Sequence, residues 1–223
     1  MKRLLLGVPG LVASILVGQF TSWGDVSAWH GTNNPNPDMG WKWKDAKLIG
    51  GAVADDHTAI SSVYEQPIID LIDDWRNKTD LAPTRGLVAN HASNRIHYWD
   101  VNVGPNGYLG KATTYSIEGY SSLQLCVPGT STPCNKTNHR ATYADINLNI
   151  YRLGPGKDFG TDFNRRHTIG HELGHPFSLT HPTDCVFGPV PVLEEAIMRQ
   201  TACPPVFDNV RGHDEKDAAI LYP

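Results

Sequence analysis

The stretch "HTIGHELGHPFSLTH", residues 167–181, puts four histidines and one glutamate into fifteen positions, and its reading decides the fold. His171 and His175 are four apart, so on an α-helix they stack on one face and can hold one ion between them. Glu172, one residue on, is turned about 100° around the axis, where it can reach a water on the ion without ligating the ion. Zinc suits such imidazoles. It lowers the pKa of its water to about 7, and a neighbouring carboxylate can then accept the proton as that water attacks a peptide carbonyl. H-E-x-x-H on a helix therefore reads as two metal ligands and a general base in a single turn. The plainer reading is a helix with two unrelated surface histidines. His181 bears on that choice. On a continued helix it would lie about 9 Å up the axis and far around from His175, so to share the ion the chain must leave the helix and turn back. His167, one turn before His171, suits a buried partner of the cluster better than a ligand.

Outward from this stretch, "GPGKDFGTD" (154–162) is a loop from which the helix should start. Further upstream, "HTAISSVYEQPIIDLIDDWRNKTD" (57–80) carries Val63, Ile68, Ile69, Ile72 and Trp75 near helical spacing and predicts a helix bent at Pro67. "WKWK" (41–44), "RGLVAN", "NRIHYWDVNV", "SSLQLCV" and "DINLNIYRL" read as strands, with "GPNG" (104–107) as a turn. The class is α+β. With 223 residues, 40% of them hydrophobic, the chain can bury one core, and a net charge of -4 without a basic run argues against nucleic acid or an anionic membrane as the main partner.

Lys2 and Arg3 precede an apolar run from Leu4 to Val17, and "VSA" (26–28) offers a cleavage point. This reads as a secretory signal peptide over 1–28, with one domain over 29–223; an uncleaved anchor is the alternative. The four cysteines fit export. Pairing of Cys126 with Cys134 and of Cys185 with Cys203 is the simplest of three connectivities. Sequons at Asn77 and Asn135 matter only in a host that glycosylates secreted proteins.

"HELGHPFSLTH" (171–181) resembles the metzincin signature H-E-x-x-H-x-x-G-x-x-H with its three histidines in register, and "AIM", ending at Met198, resembles the family's Met-turn. "GYLGKATTYS" (107–116), "YADINLNIY" (143–151) and the C-terminal "GHDEKDAAILYP" are similar in order to the strands and closing helix of matrixin-like bacterial peptidases. The resemblance covers most of 41–223, although only the 171–181 motif is highly specific. It implies a secreted, monomeric zinc endopeptidase acting on proteins or peptides. His171, His175 and His181 would be its ligands and Glu172 its base. The implied fold has a twisted mixed sheet and two long helices above a cleft, with an irregular C-terminal part carrying the Met-turn and a final helix below. It also implies an edge strand before the zinc helix that pairs with substrate. After the Met-turn, Pro204, Pro205, Val206 and Phe207 would wall the pocket for the side chain following the scissile bond. The chain departs from the pattern at Ser178, where the family has glycine, and at Pro176, which should end the helix early enough to spare Ser178 a positive φ. Met198-Arg199-Gln200 also lacks the tyrosine that astacins and serralysins use near the metal, which leans toward matrixins or snapalysins.

Two other readings stay open. Glu195 lies twenty residues after His175, where thermolysin-like enzymes place a third ligand. Alternatively, the histidines could close a structural zinc site in a noncatalytic binding module, although structural sites have a fourth protein ligand. Calcium is a second cofactor candidate at "DVNVGPNG" (100–107), which offers one carboxylate among amides and carbonyls.

Overall fold

The computed structural model describes residues 41–43, 53–56, 60–81, 83–85, 95–127, 134, 140–182, 195–200 and 205–222. The signal-peptide reading, Cys185, Cys203, Pro204 and Asn135 fall outside them. The described elements are β1 (Val53–Asp56), α1 (Ser62–Lys78), β2 (Pro83–Arg85), β3 (Arg95–Val101), β4 (Gly110–Ser116), β5 (Gln124–Leu125), β6 (Tyr143–Asn149), α2 (Ile150–Leu153), α3 (Asp162–Gly174) and α4 (Gly212–Leu221). They form a mixed α+β fold around one sheet of order β2-β1-β3-β6-β4-β5. β2, β1, β3 and β6 run parallel, while β4 is antiparallel to both β6 and β5.

The period-two pattern of β6 explains its central place, because Ala144, Ile146 and Leu148 are buried on one face while Tyr143, Asp145 and Asn147 stand half-buried on the other. α1 buries Tyr64, Ile68, Leu71, Ile72 and Trp75 completely. The indole N–H of Trp75 donates to the Gly170 carbonyl at 3.2 Å, and Arg166 pairs with Asp70 at 2.7 Å, so α1 is fastened along α3. α1 runs through Pro67, whose missing N–H costs one internal hydrogen bond.

Several sequence expectations shift. "WKWK" yields one parallel bridge, Trp43 with Ala141, rather than a strand. The run read as a strand through Leu153 divides at Asn149, whose side-chain oxygen accepts from the Tyr151 N–H at 3.2 Å and caps α2. The strand directly before the zinc-motif helix, β6, is not an edge, since β3 and β4 flank it. The strand at that side of the sheet is β5, which pairs with β4 only at Tyr115 and Ser116, so the start of β4 has no strand on its outer side among the described residues. Cys126 and Cys134 form a disulfide. No helix of the described residues is long and apolar enough to cross a membrane.

Candidate metal centre

α3 begins where Thr161 accepts the Asn164 N–H on its side-chain oxygen at 3.2 Å, and it carries His167, His171 and Glu172 into the interior. The helix ends at His175, as Pro176 requires, because proline offers no N–H to continue it. The chain then reverses. Ser178 N–H donates to His175 O at 2.8 Å and Leu179 N–H to Gly174 O at 3.2 Å, the paired bonds of a Schellman ending. Its left-handed position falls on Ser178, at φ 72, which corrects the expectation that Pro176 spares this residue. The reversal needs that conformation wherever the helix stops, and the serine bears a cost of about 1 kcal/mol or more for it.

The reversal returns His181 to the helix. Ligand atoms of His171, His175 and His181 lie within 4.8 Å of one another, and Nε2 of His171 stands 3.0 Å from Nε2 of His181. This trio could hold a metal ion. Its tautomers fit the role. His171 Nδ1 faces the Ile197 carbonyl at 3.2 Å and His175 Nδ1 faces the Leu179 carbonyl at 3.0 Å. A carbonyl only accepts, so both rings carry their proton on Nδ1 and leave the Nε2 lone pair for an ion. His181 Nδ1 stands 2.9 Å from the side-chain amide nitrogen of Gln200; the same amide turned over would offer its oxygen and accept the Nδ1 proton. Burial drives the pKa of His171 well below its ordinary value, helped by the three neighbouring imidazoles, and burial with His175 lowers His181 to about 3. His171 and His181 are therefore neutral, the form that binds metal.

Glu172 is 9% exposed, and its Oε2 accepts the Ala112 N–H at 2.7 Å. Burial raises its carboxyl to about 7, against the pull of that N–H and of Lys111. A side chain at Gly110 would put its Cβ 2.6 Å from Glu172 Cγ, so the glycine lets β4 close on the helix. Leu109 O accepts from Asn149 N and Tyr115 O from Thr142 N, both at 2.9 Å. The odd residues of β4 therefore bond toward β6, and Gly110 and Ala112 point outward beside Glu172.

Met198 packs its sulfur where a Cβ on Gly174 would stand. Asp214, which sequence reasoning missed, fixes this turn by accepting the N–H groups of Ile197 (2.8 Å), Met198 (3.3 Å) and Arg211 (2.9 Å). Its only early signal was an acid in the first turn of a predicted helix. Gln200 was noted only as a departure. Glu195 is not brought to the histidines, since its carboxylate pairs with Arg211 at 3.5 Å. His167 Nδ1 donates to the Phe207 carbonyl at 2.8 Å, and the Val210 N–H donates to Asp74 at 2.6 Å. Phe207 thus lies beside α3, one turn before the cluster. In the 100–107 loop, the carbonyls of Gly104 and Gly107 accept from the side chains of Asn149 and Arg152. Neither the models of known protein families nor the sequences of curated proteins match this chain.

Proposed function

We propose that the chain is an exported, zinc-dependent endopeptidase of metzincin type, nearest to the matrixin or snapalysin pattern. One observation carries this reading: three imidazoles, two of them with Nδ1 on a backbone carbonyl, bring ring nitrogens within 4.8 Å of one another, with a buried carboxylate on the adjacent helix position. Zinc held there would supply a Lewis acid for water and for the peptide carbonyl at neutral pH.

The chain's own groups do the rest. The Nδ1 bonds to Ile197, Leu179 and Gln200 hold the ligand rings in orientation. Glu172 accepts the proton of the attacking water at a carboxylate oxygen and returns it to the leaving amine, while the Ala112 N–H keeps the carboxylate aimed. The outward backbone of Gly110 and the outward carbonyl of Ala112 pair with an extended peptide, adding a strand to the sheet across the cluster. Pro205 to Phe207 line the far side of the same cleft.

Glu172→Gln tests the reading, because it preserves shape and removes the base. It should leave zinc content near one per chain, leave the fold intact, and cut casein hydrolysis by about 10²–10⁴-fold. A wild-type protein that holds zinc and cleaves no peptide would make this a structural zinc module instead.

A further inference from the structure

The reversal between the second and third histidines leaves carbonyls that must find donors, because a buried, unmatched carbonyl is costly. Those of Gly174 and His175 are matched within the turn, by Leu179 and Ser178. The next two are matched from far away in the chain. Pro176 O accepts the indole N–H of Trp41 at 3.1 Å, across 135 residues, and Phe177 O accepts the hydroxyl of Tyr222 at 3.0 Å. The same hydroxyl accepts the Trp43 N–H at 2.9 Å, so the N-terminal segment, the last helix and the turn meet at one oxygen. Burial raises the Tyr222 phenol above its ordinary pKa, so it remains a donor. Phe177 is fully buried between Trp43 and Trp75, at ring distances of 6.0 and 6.5 Å. Ser178, next in the chain, holds a backbone conformation that roughly tenfold disfavours a residue with a Cβ over glycine.

We propose that Trp41 and Tyr222 are positioning residues for the metal centre: their N–H and O–H groups hold the strained turn closed, and metal affinity depends on the docking of residues 41–43. This rests on the three histidines binding zinc. Without the two donors, the turn gains by letting Ser178 relax to negative φ, which swings His181 away and leaves two imidazoles. The binding-competent fraction falls, and the apparent affinity falls with it.

The test measures zinc affinity of the full chain by competition with a chromogenic chelator. Tyr222→Phe and Trp41→Phe, which keep the rings and remove the donors, should each raise the zinc Kd about tenfold. Ser178→Gly added to Tyr222→Phe should recover most of that loss. Trp99→Phe, which removes the indole bond to Asp145 between β3 and β6, controls for general destabilisation and should leave the Kd unchanged. A Tyr222→Phe protein with a lower melting temperature and a wild-type Kd would overturn the proposal and make the hydroxyl merely structural. A wild type that binds no zinc would instead sink the metal reading itself. Hydrogen exchange gives a second measure on zinc-free protein. In Tyr222→Phe, the Ser178 and Leu179 amides should exchange about tenfold faster while α1 keeps its protection; unchanged protection of those two amides would also overturn it.

Discussion

His181 and Glu195 divide the two ligand sets that the sequence leaves open. A third ligand must bring its donor atom to the other two, and His181 does so with Nε2 at 3.0 Å from His171, while Glu195 is spent on Arg211. His181→Ala should therefore strip most of the zinc, whereas Glu195→Ala should leave about one zinc per chain by atomic emission. The reverse result would restore the thermolysin-like reading. Ser178 invites a separate substitution. Glycine adopts φ near 72 without a Cβ clash, so Ser178→Gly should raise the unfolding free energy by about 1 kcal/mol in urea titrations. A loss of stability would show that the serine hydroxyl contributes more than the backbone conformation costs.

Along the elements, what the sequence showed were patterns closed within a few residues. α3 announced itself by the glycine-rich loop before it and by histidines at i and i+4, and β6 by its alternation. Where a side chain overrode the pattern, the reading slipped, as at Asn149, whose amide both caps α2 and donates to the Gly104 and Tyr108 carbonyls. The ligand trio was legible because its spacing is local. Its supports were not, since Asp214 reaches Ile197 across 17 residues and Trp41 reaches Pro176 across 135. Gly174 joins the two kinds of information. It reads as an ordinary glycine near a helix end, yet the Met198 sulfur fills the space beside it. Gly174→Ala should cost about 1–3 kcal/mol by overpacking, and Met198→Ala in the same chain should relieve part of that strain. Additive losses, measured by chemical denaturation, would mean that the two sites do not touch.

Asp214 ties the start of the C-terminal helix to the turn at Ile197 and Met198, and that gives stability a dependence on pH. Asp214 is buried, and burial pushes its carboxyl from 3.8 up to about 7, although the N–H groups of Ile197, Arg211 and Met198 and the charge of His213 all pull the other way. Between about pH 4 and pH 7 the folded chain therefore holds a proton on Asp214 that the unfolded chain has lost. The folded state binds more protons there, so stability falls as pH rises through this window, by up to about 1.4 kcal/mol per pH unit for one proton. Below pH 4 both states are protonated and above pH 7 both are ionised, so the contribution levels off at each end. Asp214→Asn removes the titration while keeping the size and one acceptor oxygen. Glu172, raised by burial in the same direction, titrates in both proteins and cancels in the difference. With chelator present throughout to exclude metal linkage, the gap in unfolding free energy between wild type and Asp214→Asn should change steadily from pH 4 to pH 7, the wild type losing ground as pH rises. Parallel curves across that range would show that Asp214 stays ionised in the folded protein, held by its three backbone donors, and that the C-terminal helix is fastened by a charge rather than by a carboxylic acid.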